Sequence, residues 1–241
     1  MSIRENLLVV QGRIDEACRA AGRASSSVRL LPVSKTKPPE AVLEAFAAGY
    51  HRFGENKVQE ALDKYEATRQ VDGLEWAIIG HLQTNKAKYV ARFASEFQAL
   101  DSLHVAKELD RRLHCEGRQL DVLVQVNTSD EDSKFGLPPD RVLGFARQLE
   151  SFDALRVRGL MTLALFSDDQ QAVGACFGRL LEAQKRLQDE GATGLGWDEL
   201  SMGMSGDYQL AIGYGATCVR VGRAIFGARL NPNDYWPGSV K

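Results

Sequence analysis

Cysteine is scarce in this 241-residue sequence, and its four copies stand far apart. They are Cys18, Cys115, Cys176 and Cys218. They form no CxxC pair and no cysteine–histidine spacing typical of a metal site, so we expect reduced thiols and not a disulfide framework. His51, His104 and His114 also lack ligand spacing, and we therefore expect no bound metal.

Long hydrophobic runs and an excess of one charge are absent as well. No stretch approaches the roughly 20 apolar residues that a membrane-spanning helix needs, and the first residues lack the apolar run of a signal peptide. Instead, apolar residues at positions 7, 8, 10 and 14 recur at helical spacing, which predicts a helix over residues 3–21. The net charge of −2 provides no basic field to recruit nucleic acid or membranes. These absences favour a cytoplasmic protein.

No Pro-, Gly- or Ser-rich linker divides the chain, and its length suits one large α/β domain. The 44% of hydrophobic residues is enough to form a sizeable core. We therefore expect residues 1–241 to form a single domain.

After residue 27, short apolar runs alternate with longer segments of helical periodicity. The predicted strands are 28–34, 51–54, 75–80, 97–101, 121–126, 156–161, 198–202 and 218–222. Helical patterns include 38–49, 104–117, 140–151 and 170–191. This alternation predicts a parallel sheet, and about 250 residues is typical of a (β/α)8 TIM barrel. A doubly wound open sheet is the alternative, because element order does not reveal closure. The helix at 3–21 is an addition before the first strand.

The first predicted strand, VRLLPVS, runs directly into Lys35. In a barrel, functional residues gather at the carboxyl ends of the strands. A lysine there is partly desolvated, its pKa falls, and it can form a Schiff base with a carbonyl compound. A lysine that only reaches solvent from the strand end explains the position equally well.

Residues 200–227 are rich in glycine and surround the last two predicted strands. Ser205, Gly206 and Asp207 predict the start of a helix, with Asp207 or Ser205 as its cap. Loops after strands seven and eight are the usual phosphate site of a barrel, although glycines that only form tight turns are the alternative. Together with Lys35, this segment suggests a phosphorylated carbonyl compound that is held covalently.

Seven motifs then occur in the order of one known family. They are VSKTKP, FGENKVQE, IGHLQTNK, DSKFGL, GLMTLA, LSMGMSGDYQLAI and VRVGRAIFG, and they span about residues 28–228. The sequence resembles the pyridoxal phosphate homeostasis proteins, also called the proline-synthetase co-transcribed family. The resemblance implies a barrel like the N-terminal domain of alanine racemase, the fold of type III pyridoxal 5'-phosphate (PLP) proteins.

The resemblance implies that Lys35 carries PLP covalently as a Schiff base, while Lys37 is a neighbouring or surface charge. It places Arg220 against the pyridine nitrogen and Asn56 beside the ring. The phosphate is assigned to the Ser201 region with the backbone that follows strand eight. The implied cofactor-binding residues are therefore Lys35, Asn56, His81, Ser201, Met202, Arg220, Gly222 and Arg223.

Two polar residues near the expected site, His81 and Lys134, allow two interpretations each. His81 either lines the pocket or bonds a neighbouring loop. Lys134 either contacts phosphate or a substrate carboxylate, or is a solvated loop lysine. Tyr208 and Tyr214 fall in the helix predicted after strand seven and are expected to pack, and the location of Tyr235 stays open.

An arginine facing the ring nitrogen has a consequence for chemistry. Arginine stays protonated and donates hydrogen bonds, so Arg220 favours an unprotonated pyridine nitrogen, which is a poorer electron sink. Moreover, only residues 228–241 follow Gly227, too few for the second domain of a racemase of this type. We therefore expect a PLP carrier without catalytic turnover, with PLP-dependent apoenzymes as its implied partners. A small amino-acid racemase or lyase is the alternative, and a Schiff-base aldolase of sugar phosphates is a third. We expect a monomer.

Overall fold

The computed structural model describes residues 1–129, 131, 135–190 and 195–228. All eight predicted strands are confirmed, four of them shorter than the predicted runs and the others within one residue of the predicted ends. They are β1 (Arg29–Pro32), β2 (Arg52–Glu55), β3 (Glu75–Ile78), β4 (Glu96–Leu100), β5 (Leu120–Gln125), β6 (Leu155–Met161), β7 (Glu199–Ser201) and β8 (Cys218–Val221).

The helices alternate with these strands. They are α1 (Ile3–Ala20), α2 (Pro39–Ala47), α3 (Val58–Thr68), α4 (Ala87–Phe93), α5 (Leu103–Glu116), α6 (Val142–Leu149), α7 (Gln170–Glu190), α8 (Tyr208–Gly213) and α9 (Arg223–Phe226). Pro39 lies in the first turn of α2, where its missing N–H is not needed. Gly117 ends α5 in the left-handed conformation, with φ of 62°.

The strands are parallel and follow the order β1-β8-β7-β6-β5-β4-β3-β2. Because β1 pairs with β8, the first strand lies beside the last, as in a barrel. The (β/α)8 fold is therefore confirmed, and the open doubly wound sheet is wrong. The barrel closes weakly between β1 and β2, where a single bridge joins Val33 to Gly54 and Ser34 N donates to Gly54 O at 3.1 Å. We call this junction the seam.

Helix α1 occupies a place in the outer ring. Its buried face consists of Leu7, Val10, Ile14 and Cys18, and it packs against α8, α9 and α2. A capping box starts the helix, since Glu5 N donates to Ser2 Oγ and Ser2 N donates to the Glu5 carboxylate. Because α9 has only four residues, α1 covers the wall beside β8 and β1. The predicted extra helix is thus confirmed and completes the barrel.

The base of the barrel, at the amino ends of the strands, is ionic. Arg29, Arg52, Glu75, Glu96 and Glu199 each begin a strand. Glu96 lies between the two guanidinium groups, 3.1 Å from Arg29 and 2.5 Å from Arg52. Burial raises the pKa of Glu96, but the two arginines more than offset this and hold it below its usual range. The base is therefore closed by paired charges, and the carboxyl ends of the strands lie opposite.

Candidate functional site

Lys35 lies in the turn directly after β1, at the carboxyl end of the barrel. Its side chain is half-buried. The next residue, Thr36, has a φ of 63°, and in the described part of the chain it is the single non-glycine residue with a positive φ. A β-branched residue rarely adopts this conformation, so the turn carries backbone strain.

Arg220, on the neighbouring strand β8, is a buried charged residue near this end of the barrel. It is 3% exposed. Its Nη1 donates to Ser201 Oγ at 2.6 Å and its Nη2 donates to Thr162 O at 2.7 Å. Burial lowers its pKa below the usual range. Among the described residues, no carboxylate forms an ion pair with this guanidinium.

A chain of buried hydrogen bonds joins Arg220 to the ionic base. Ser201 Oγ donates to Gln98 Oε1 at 2.7 Å, and Gln98 Nε2 donates to Glu96. We call Glu96, Gln98, Ser201 and Arg220 the polar chain. Since strand side chains alternate in direction, positions two apart on β4 place Glu96 and Gln98 on the same interior face. The polar chain fixes the direction in which Arg220 presents its remaining donors.

The loop after β7 wraps around Arg220. Met202 is buried. Gly203 has a φ of 91°, and its carbonyl oxygen accepts a hydrogen bond from Arg220 N at 3.0 Å. Helix α8 begins where the sequence predicted, and Asp207, one of the two predicted caps, occupies the N-cap position. Asp207 precedes the helix, yet its Oδ1 accepts from Met204 N at 2.5 Å instead of capping helical N–H groups. Burial raises the pKa of Asp207.

The end of β8 lies directly against the end of β1. A Cβ built on Gly222 would lie 2.9 Å from Val33 O, so the close approach of these two backbones requires glycine at this position. Arg223 follows at the start of α9, with an exposed side chain. The structure therefore brings Gly222 beside the strand that leads into Lys35.

His81 and Asn56 lie on the other side of the seam, and both are exposed. The His81 ring stacks on Phe135 with 3.9 Å between ring centroids, and His81 Nδ1 lies 4.0 Å from an Asp101 oxygen. Asp101 in turn accepts from Gly136 N at 3.1 Å, and burial raises its pKa. His81 thus contacts the loop after β5. Neither Phe135 nor Asp101 was identified from the sequence.

The structure also shows where Lys37 and two of the tyrosines lie. Lys37 is not a surface charge: it is buried, burial lowers its pKa, and its Nζ donates to Ala228 O. Tyr208 is buried in α8, and Tyr214 packs against Phe177, as expected for core residues. Lys134 and Tyr235 lie outside the described residues.

A second buried assembly, which sequence reasoning missed, lies between the seam and α3. Lys64 Nζ donates to Ser34 O at 2.7 Å, to Glu55 Oε1 at 2.6 Å and to Glu60 Oε1 at 2.9 Å. We call Ser34, Glu55, Glu60 and Lys64 the Lys64 cluster. Burial, which Lys64 offsets only in part, raises the pKa of Glu55 to about 7. The spacing of Glu60 and Lys64, one helical turn apart, is the local signal by which the sequence could have identified this pair.

Outside this end of the barrel, ligand atoms of Asp110, His114 and Asp153 lie within 4.8 Å of one another. His114 Nε2 lies 2.9 Å from Asp153, which makes the group an exposed ion pair when the imidazole is protonated. The four cysteines form no disulfide. No helix in the described ranges is both long enough and apolar enough to cross a bilayer.

The chain is similar to known proteins over nearly its whole length. The family model for the alanine racemase N-terminal domain matches residues 10–230. A pyridoxal phosphate homeostasis protein of Haemophilus influenzae is 40% identical over 230 residues, which cover 95% of this chain and 97% of the relative. Its counterpart in Vibrio cholerae is 43% identical over 231 residues, with 95% and 97% covered.

Similarity extends to a solved structure. PipY of Synechococcus elongatus, solved with PLP bound, is 34% identical, and the match covers 94% of this chain and 100% of that one with a TM-score of 0.83. The resemblance read from the seven motifs is thereby confirmed. The chain belongs to the pyridoxal phosphate homeostasis protein family, which shares the barrel of the alanine racemase N-terminal domain.

Proposed function

We propose that this protein binds PLP covalently through Lys35 and serves intracellular PLP homeostasis without catalytic turnover. Two findings support the proposal from outside the chain. Relatives at about 40% identity are named pyridoxal phosphate homeostasis proteins, and the similar PipY structure contains PLP. When bound, PLP supplies an aldehyde that captures amines and a ring that withdraws electrons from them.

The observation that carries the proposal is the buried Arg220. An isolated charge away from water is costly unless it is paired or hydrogen-bonded, and two of its five donors are used by Ser201 and Thr162. The remaining donors of this guanidinium would suit a cofactor that brings an acceptor atom, such as a pyridine nitrogen. The residues present therefore fit PLP. Because arginine stays protonated, Arg220 would leave that nitrogen unprotonated, which would weaken electron withdrawal by the ring and disfavour turnover.

The other residues take roles in keeping with their positions. Ser201, whose hydroxyl already bonds Arg220 and Gln98, orients the guanidinium. Met202 lies buried at the wall of the pocket, and the backbone at Gly222 and Arg223 offers N–H groups to the phosphate beside β1. These assignments remain part of the proposal.

Two more side chains complete the proposed pocket. Asn56 and His81 border it on the β2 and β3 side, and the half-buried Lys35 supplies the amine. We also propose that the protein is a cytoplasmic monomer and that it releases PLP to apoenzymes.

Racemase or lyase activity is the second candidate. A racemase needs an acid on the face of the substrate opposite Lys35, and tyrosine fills that role in racemases of this type. In the described ranges, however, Tyr208 is buried and Tyr214 packs against Phe177. The structure thus offers neither residue for the task, and this favours the carrier. Exchange of the α-proton of amino acids in heavy water would establish the alternative.

Visible absorbance of the purified protein, followed by borohydride reduction and peptide mass mapping, tests the proposal. We expect a visible band that reduction abolishes and a pyridoxyl group on Lys35. Lys35→Ala should lose both, whereas Lys107→Ala, at an exposed position on α5, should keep both. A protein that shows no band after PLP is added would refute the proposal.

A further inference from the structure

We propose that Lys64 and Glu60 are positioning residues for Lys35: the Lys64 cluster holds the backbone on both sides of this lysine and so determines how tightly the cofactor is bound. The inference rests on the proposed function, because it concerns how the chain presents Lys35 to PLP. It assigns a role to residues of α3 that lie behind the strands, away from the open mouth of the barrel.

The contacts surround Lys35 in sequence. Ser34, directly before it, has its carbonyl bound by Lys64 Nζ at 2.7 Å. Thr36, directly after it, donates its N–H to Glu60 Oε1 at 2.5 Å. Glu60 and Lys64 are themselves joined at 2.9 Å. The peptide groups on either side of Lys35 are therefore tied to one ion pair on a single helix.

The strain at Thr36 shows why such a restraint is needed. Its φ of 63° is energetically unfavourable for a β-branched residue. Such a conformation persists only where the surrounding contacts impose it. The bond from Thr36 N to Glu60 is one restraint, and Lys37 N donating to Ser34 O at 3.0 Å is another. Without Glu60 the turn would relax toward a common conformation, and the direction of the Lys35 side chain would change with it.

The seam explains why the sheet itself cannot supply this restraint. Strands β1 and β2 share one bridge, Val33 to Gly54, so the ladder ends before Lys35. The Lys64 cluster takes over at that point. Glu55 Oε1, at the end of β2, accepts from Ser34 Oγ and Lys64 Nζ, each at 2.6 Å. One carboxylate thus joins the two strands, and Lys64 ties both of them to α3.

The location of the charges also argues for a positioning role. Lys64 and Glu55 have fully buried side chains. Removing a charge pair from water costs energy that its attraction does not fully return, so such a pair is weak evidence for stability alone. Here the pair is retained where a strained turn must keep one geometry.

The test compares three variants of the full chain with the wild type. Lys64→Met removes the ammonium but keeps a long side chain. Glu60→Gln keeps an oxygen to accept from Thr36 N and loses the charge. Asp63→Asn is the matched control, because Asp63 accepts from Gln59 one turn away on the same helix, at an exposed contact. Each is measured by PLP titration of the visible band, by borohydride trapping with peptide mapping, and by melting temperature.

We expect Lys64→Met to weaken PLP binding by about tenfold or more, as for loss of a charge-assisted hydrogen bond, and to trap less pyridoxyl on Lys35. Glu60→Gln should bind with intermediate affinity, and Asp63→Asn should match the wild type. The inference is overturned if Lys64→Met has a lower melting temperature but binds PLP, and takes pyridoxyl label at Lys35, as well as Asp63→Asn does. The cluster would then contribute to stability alone. Should Lys64→Met fail to fold, Glu60→Gln and Glu60→Ala decide by the same criteria.

The two proposals fail separately. A wild-type protein that takes no label at Lys35 overturns the proposed function, and the positioning role falls with it. A wild-type protein labelled at Lys35, together with α3 variants that bind PLP as tightly as Asp63→Asn, overturns the positioning role and leaves the proposed function standing.

Discussion

Replacing Ser201 by alanine should break the polar chain at its middle. The Ser201 hydroxyl accepts from Arg220 Nη1 at 2.6 Å and donates to Gln98 Oε1 at 2.7 Å. Both partners are buried, and alanine offers neither of them a replacement. The variant therefore leaves one donor on a charged group and one amide oxygen without partners, away from water.

The magnitude follows from those two atoms. Leaving a buried polar group unsatisfied costs about 1–3 kcal/mol, and more when the group is charged. Two such groups, at Arg220 and Gln98, give a loss of about 3 kcal/mol in the free energy of unfolding. For a chain of this size that corresponds to a fall in Tm of roughly 6–12 °C.

Urea denaturation followed by circular dichroism measures the difference directly. Ser26→Ala, at an exposed position before β1, is the matched control and should stay within about 0.5 kcal/mol of the wild type. If Ser201→Ala also stays within that limit, the hydroxyl does not bridge Arg220 and Gln98, and the account of how Arg220 is held in place is wrong.

Three further substitutions test the fold and the Lys64 cluster. Gly159→Ala should destabilise by at least about 3 kcal/mol, because a Cβ there would lie 1.9 Å from Glu199 O of the adjacent strand. Gly144→Ala, in open space on α6, should instead stabilise by up to about 1 kcal/mol in the same assay. Glu55→Gln should change the pH dependence of stability. Burial raises the pKa of Glu55 from 4.5 to about 7, so the protonated carboxyl stabilises the folded state. This contribution is at most about 3 kcal/mol. It is fully present below pH 4.5 and is lost as the pH rises through 7. The difference in unfolding free energy between wild type and Glu55→Gln should therefore shift over that range, and a constant difference would contradict the assigned pKa.

The strands and several helices were readable from the sequence because their signals are local. Apolar runs mark each strand, since both faces of a barrel strand are covered. Helix α3 was missed for a physical reason. Its buried face includes Lys64, and a lysine among the inward positions interrupts the apolar stripe that predicts an amphipathic helix. Helix α4, at seven residues, is too short to show a clear period.

The candidate site was predictable in part. The rule that barrel sites lie at strand ends, together with the motifs, selected Lys35 and Arg220 as candidates, and the structure places both at the carboxyl end of the barrel. The groups that hold them in place were not predictable, since Gln98 meets Ser201 and Lys64 meets Ser34 only after the strands and helices assemble. The position of the cap at Asp207 was predictable, but its side-chain bond was not, because the carboxylate accepts from Met204 N–H and not from the helix.

Helix α1 and strand β1 have a consequence for how the protein is made. Both find their partners at the far end of the chain, since α1 packs on α8 and α9 and β1 pairs with β8. Contacts between such distant segments slow folding. A nascent chain on the ribosome therefore keeps the first strand edge and the apolar face of α1 uncovered until the last strand emerges, a stage at which chaperones protect exposed surfaces. Because Arg220 lies on that last strand, an unfinished chain also lacks part of the candidate site.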